Sequence, residues 1–217
     1  MGRVPTFVVR VWLPDRPGAL GAVASRIGAV RGDVTGIDIL ERGAGRAIDE
    51  LVVTLPSEDL IELMLRELRE VDGVDVEDIR PVALAVPDSR LDALESAALL
   101  VEQTTAGDLV ELLVEHASRD LEASWAAVVD HLAIEVRASS GAVPAAAWLA
   151  AFVAGSLASE AAGTDDVAWA SFPNAPLALV IGRSGRPFRQ RERRQLEALT
   201  RIADRRWEEL LSPRPAG

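Results

Sequence analysis

The sequence predicts an α+β chain of two units, and three observations carry that expectation. Residues 1–82 run in the order strand, helix, strand, strand, helix, strand, the split βαβ or ferredoxin-like arrangement. A connector over 83–90, punctuated by Pro87 and Asp88-Ser89, then interrupts the pattern. Beyond it, 91–217 mixes amphipathic helices with short apolar strands, which suits an antiparallel sheet with flanking helices.

The first strand alternates Phe7, Val9, Val11 and Leu13 against Val8, Arg10 and Trp12. A helix over Gly18 to Arg31 places Leu20, Val23, Ala24, Ile27 and Val30 on one stripe. Asp15 is in place to cap it, Pro17 to sit in its first turn, and Gly32 to end it. A second strand spans about Val34 to Glu41, a hairpin loop follows at Arg42-Gly43-Ala44-Gly45, and a third strand spans about Ala47 to Leu55. Glu41, Asp49 and Glu50 flank this hairpin and are expected to face water.

Pro56-Ser57 opens a second helix with Leu60, Leu63, Met64, Leu68 and Val71 at helical spacing, and Asp72-Gly73 stops it. Val74 to Val82 is the fourth strand. Two helices with one apolar stripe each cover one face of a four-stranded antiparallel sheet.

In the second unit, Asp88 or Ser89 caps a helix whose stripe is Leu91, Leu94, Ala98 and Val101. The next helix, from about Gly107, buries Leu109, Leu112, Leu113, Ala117 and Leu121. Trp125 to Asp130 reads as a buried strand, and His131 to Arg137 as a second strand or its continuation. Pro144 to Ser159 is an alanine-rich helix whose apolar residues wrap more than one face, so it is expected to be well buried. Strands at Val167–Phe172 and Leu177–Gly182 precede a long helix, Arg189 to Leu211, with Leu196, Leu199, Ala203 and Leu210 inward.

Composition excludes several chemistries. Without cysteine there are no disulfides, thiolate nucleophiles or cysteine–zinc sites. Without lysine there is no Schiff-base lysine and no P-loop of the Gly-x-x-x-x-Gly-Lys type. No Gly-x-Ser-x-Gly elbow occurs, His116 and His131 lack metal-ligand spacing, and Asp165-Asp166 reads as a solvated loop pair. The chain is therefore expected to be non-catalytic, with no cofactor and no metal. No segment reaches the length of a membrane span and no signal-peptide cleavage pattern follows Met1, so the expected location is the cytoplasm. A formal charge of −11 argues against nucleic-acid binding. Residues 183–217 nevertheless carry ten Arg against five acids, six of them at Arg183, Arg186, Arg189, Arg191, Arg193 and Arg194. They read either as a solvated face paired with acids of this chain or as a dock for an acidic partner.

Asp15-Arg16-Pro17-Gly18-Ala19-Leu20 joins a strand to a helix N-terminus, whose free N–H groups suit a ligand carboxylate. This stretch, its helix, and Gly32-Asp33-Val34 leading into the second strand resemble the ACT domain, a small-molecule-sensing module of amino-acid metabolism, over residues 4–82. The resemblance implies side-by-side pairing of two chains. It also implies amino-acid binding between Asp15, Arg16, Pro17, Gly18, Ala19 and Leu20 of one subunit and Asp33 and Val34 of the other. Asp33 stands where that family often has asparagine, and a carboxylate accepts from an ammonium but cannot donate to a carboxylate. The resemblance therefore leaves two readings open: an amino-acid sensor, and an assembly module whose arginine-rich helix recruits an acidic partner.

Residues 91–211 resemble a GAF-like domain, through the helix ending at Leu121 before Ala123-Ser124-Trp125-Ala126-Ala127-Val128 and the closing Leu177–Arg183, Pro187-Phe188 and polar helix. That resemblance implies small-molecule sensing or dimerisation and names no ligand.

Overall fold

A computed structural model describes residues 4–82, 88–158 and 165–212. The expectations for Met1–Arg3, for 83–87 of the connector and for the end of the alanine-rich helix at Ser159 lie outside the described residues. The chain divides into two compact units, Met1–Pro87 and Asp88–Gly217.

The first unit has β1 (Thr6–Pro14), α1 (Ala19–Ala29), β2 (Asp33–Gly43), β3 (Arg46–Thr54), a 3₁₀ turn at Glu58–Leu60, α2 (Ile61–Arg69) and β4 (Asp75–Pro81). Its sheet has the order β2-β3-β1-β4, with every neighbouring pair antiparallel. β1 sits inside because its apolar alternation feeds a core from both neighbours. Phe7, Val9, Val11 and Leu13 share that core with Leu51 and Val53 of β3, Val23 and Ile27 of α1, and Met64 and Leu68 of α2. Burying one such side chain contributes about 1.5–3 kcal/mol, so this core is a large stabilising contribution to the unit. The β2–β3 hairpin turns through Ala44 and Gly45, both at positive φ (51° and 76°), as a tight two-residue turn requires.

Several local expectations are corrected. α1 ends in a Schellman motif: Gly32 N–H donates to Ile27 O at 3.0 Å and Arg31 N–H to Gly28 O at 2.9 Å. Arg31, at φ 62°, takes the left-handed position expected of Gly32. Gly32 is needed for space, since a Cβ there would lie 2.8 Å from Ile27 Cγ2. Asp49 does not face water: it is 3% exposed. Glu50 is also largely covered, accepting from Arg10 Nη2 at 2.8 Å and Arg80 Nη2 at 3.0 Å.

The second unit has α3 (Ser89–Glu102), α4 (Ala106–Asp120), β5 (Trp125–Asp130), β6 (Glu135–Gly141), α5 (Ala146–Ala158), β7 (Val167–Ser171), β8 (Leu177–Gly182) and α6 (Gln190–Leu211). Its antiparallel sheet has the order β6-β5-β8-β7. One face packs against α3, α4 and α6 through residues such as Leu100, Leu113, Val128, Leu179 and Leu196. The other face packs against α5 through Ala127, Val129, Leu149, Val153 and Val180. A strand run apolar on both sides, such as β8, needs both layers.

Asp88, not Ser89, caps α3, accepting from Arg90 N at 3.2 Å and Leu91 N at 3.1 Å. The stripe expected to be buried on α3 points outward: Leu91, Leu94 and Val101 are exposed, while Ser96 and Leu100 face inward. Periodicity identifies a stripe but not the side that faces the unit, and here a hydroxyl with partners takes the inner side. α5 is buried on one side only, leaving Trp148 and Leu157 exposed because the sheet offers it a single face. Residues 131–134 turn rather than extend, because Oδ1 of Asp130 accepts from Leu132 N and Ala133 N at 3.2 and 2.9 Å and Ile134 adopts φ 57°.

Candidate functional site

The loop from Asp15 to Gly18 is exposed, while Ala19 is buried and Leu20 half-buried as α1 docks. Asp15 N–H donates to Gly45 O at 2.9 Å, which ties the loop to the β2–β3 turn. Asp15 does not cap α1. The N-cap is Gly18, at φ 87°, with no side-chain cap, and Pro17 precedes the helix instead of sitting in its first turn. Ala19 N–H reaches Arg16 O at 3.3 Å and Ala22 N–H reaches Gly18 O at 2.9 Å. The amides of Leu20 and Gly21 fall in the first turn, where the helix itself offers no acceptor. The space around Gly18 is open: a Cβ built there meets nothing within 4 Å. The result is a helix N-terminus without a side-chain cap, next to an exposed loop, a geometry that favours an anion.

Asp33 and Val34 lie far from this loop within one chain. The loop leaves β1 at Pro14, paired with Arg46, whereas Asp33 pairs with Thr54 beside Thr6. The length of β1, about 25 Å at 3.3 Å per residue, separates them. A single chain therefore brings together Asp15 to Leu20 but not Asp33 and Val34.

A carboxylate outside the expected set stands nearer the loop. Asp49 shares its register row with Val11 and Ile39, and the adjoining row is Leu13, Ala47 and Arg42. Paired residues project on one face, so Asp49 and Arg42 lie on the helix-covered side, at the end of the sheet where the loop begins. Burial pushes the Asp49 carboxyl above the usual carboxylate range, the Arg42 charge opposes that, and Asp15 adds to it. Arg42 Nη1 stands 3.9 Å from Asp15 Oδ1. The strand alternation Ala47, Asp49, Leu51, Val53 was the signal in the sequence that placed Asp49 on the apolar face.

In the second unit the six arginines do not form an exposed basic face. Arg183 is buried, donating to Leu121 O and Glu192 Oε1 at 2.7 Å each, with its Cζ 3.9 Å from the Phe188 ring centroid. Arg186 pairs with Glu122 at 2.6 Å, Arg189 N–H donates to Glu192 Oε2 at 2.8 Å, and Arg193 donates to Val167 O at 3.1 Å. Arg194 alone of the six is exposed.

Ser96, His116 and Asp120 form a buried cluster between α3 and α4. Ser96 Oγ contacts both His116 Nδ1 and Asp120, and Arg119 Nη2 reaches the same Nδ1 at 2.9 Å. A hydrolytic triad needs the imidazole between the hydroxyl and the acid. Here the hydroxyl lies between the other two and is fully buried, so the cluster fastens two helices. Among the described residues there is no group of three or more His, Asp or Glu able to hold a metal ion. Among them, too, no helix is long and apolar enough to cross a membrane.

Residues 7–73 match the model of the ACT domain family. Similar solved structures include the ACT domain from GTP pyrophosphokinase of Chlorobium tepidum, at 16% identity, covering 37% of this chain and all of that one with a TM-score of 0.30. An uncharacterized protein of Thermotoga maritima is 20% identical, with 37% of this chain and all of that one covered and a TM-score of 0.30. A formyltetrahydrofolate deformylase from Pseudomonas putida is 15% identical over 41% of this chain and 36% of its own, with a TM-score of 0.27. No curated protein matches the chain.

Proposed function

Taking residues 7–73 as an ACT domain, we propose that this chain is a non-catalytic regulatory protein that binds a small ligand, an amino acid, at the loop joining β1 to α1. The observation that carries this reading is the N-terminus of α1, where left-handed Gly18 is the N-cap without any side-chain cap and the Leu20 and Gly21 amides have no acceptor within the helix. Such a terminus takes a carboxylate, and ACT domains are small-ligand regulatory modules. Two chains pair through their ACT domains in this reading, so that Asp33 and Val34 of a second subunit close a site that one chain leaves half built. The protein works in the cytoplasm, and the second unit is a GAF-like module. Its support is the antiparallel sheet with helices on both faces. Recruitment of an acidic partner by the arginine-rich helix is less favoured, because Arg183, Arg186 and Arg193 are engaged internally.

The test is a thermal-shift screen of the standard amino acids at millimolar concentration, on protein whose mass in solution is measured in parallel. A ligand at about 100 times its dissociation constant stabilises by roughly 2.7 kcal/mol. A screen in which no amino acid moves the melting temperature would sink the sensing reading, and a monomer that still binds would remove Asp33 and Val34 from the site.

A further inference from the structure

Oδ1 of Asp49 is buried and has no hydrogen-bond partner among the described residues. A buried carboxylate oxygen without a partner costs the fold about 1–3 kcal/mol or more, so its place on an apolar sheet face calls for a compensating role. Its position supplies one. Asp49 lies on the helix-covered face with Val11 and Ile39 beside it and Arg42 one row away, at the end of the sheet from which the loop leads into α1. At the β2 edge of that row Ile39 is 40% exposed. Arg42 is more open still, its side chain 58% exposed and its Nη1 3.9 Å from Asp15 Oδ1.

We propose that Asp49 accepts the ammonium of the ligand that the loop binds, so that Asp49, Arg42 and the first-turn amides of α1 form one subunit's share of a site for a zwitterion. This rests on the amino-acid reading above and adds to it the residue that separates an amino acid from a plain carboxylic acid. The amides and the Arg42 guanidinium supply positive charge to the ligand carboxylate, and Asp49 supplies a buried negative group for its cation. An ammonium that reaches Oδ1 satisfies the orphan acceptor and replaces desolvation cost with a charge-assisted hydrogen bond.

The experiment compares wild type with Asp49→Asn by thermal shift, using each standard amino acid and its N-acetyl derivative at millimolar concentration. An amino acid is expected to stabilise wild type while its N-acetyl form does not, and Asp49→Asn is expected to weaken that binding at least about tenfold, the loss of one charge-assisted contact. If Asp49→Asn responds as wild type does, the assignment of Asp49 is overturned while the amino-acid reading stands. If the N-acetyl forms stabilise equally, the ammonium contact is overturned. If nothing stabilises wild type, the amino-acid reading falls and this assignment falls with it. Should Asp49→Asn fail to fold, Arg42→Gln, on an exposed side chain, takes its place, and an unchanged amino-acid response in that variant overturns the site.

Discussion

Ser96 Oγ lies 2.7 Å from His116 Nδ1, joining α3 to α4 through two buried side chains. Arg119 donates to the same nitrogen, so the ring is held with Nδ1 unprotonated. Burial, and then the Arg119 charge, lower the His116 pKa, while Asp120 and Glu115 oppose them. The unfolded chain, with histidine near 6.5, thus binds the proton more readily than the fold.

That sign predicts full stability above pH 6.5 and a loss as pH falls below it through the folded value. Urea midpoints measured across this range are expected to drop for wild type. They should drop less for His116→Gln, which keeps a polar group but does not titrate. Burial raises the Asp92 carboxyl of α3, a contribution of opposite sign that is common to both proteins. Equal slopes in the two proteins would refute the assignment.

Asp49→Asn should increase stability in the absence of ligand. Because burial raises the folded carboxyl pKa above 3.8, its stabilising contribution is whole below that value and is lost as pH rises through the folded pKa. The variant is therefore expected to melt higher than wild type at neutral pH, with the difference vanishing toward acid pH. A lower melting temperature at neutral pH would mean that the ionised group is held by contacts other than those seen.

Arg183→Ala should cost about 3–5 kcal/mol, since it removes the buried cation that pairs with Glu192 and donates to the carbonyls of Leu121 and Pro187. Arg194→Ala, on an exposed side chain, should stay within about 0.5 kcal/mol. Denaturant unfolding of the two variants side by side checks the contrast, and comparable losses would contradict the internal role of Arg183.

Two glycines should fail for different reasons. Gly18→Ala meets no atom but forces φ 87° on an L-residue, at about 1–2 kcal/mol. Gly182→Ala has ordinary φ, yet its Cβ would fall 2.2 Å from the Trp125 ring, so overpacking of about 1–3 kcal/mol or more is expected. A compensating Trp125→Leu substitution should rescue the second and leave the first unchanged.

Much of the fold was legible because periodicity reports burial directly. β1 and β8 are apolar in the pattern that their layers demand, and the Asp15–Leu20 loop was marked by Pro17 and Gly18. The cap on α1 was misplaced because a left-handed glycine can serve as N-cap without any side chain. The α3 stripe was found but reversed, since the Ser96 cluster lies on the other side of that helix. Asp49 was read as a hairpin charge, although its strand parity with Leu51 and Val53 already placed it on the buried face.

By itself the sequence determined the order of elements, the two-part organisation and the character of the β1–α1 loop, because these follow from short-range alternation, turn residues and backbone limits. Tertiary structure alone decided which helix faces turn inward, that Arg183 is spent on its own unit, and that Asp49 Oδ1 comes to lie near Arg42 and Asp15 with no hydrogen-bond partner among the described residues. Those outcomes depend on strand register and on competition for buried hydrogen-bond partners between residues distant in the chain, and no local pattern encodes either one.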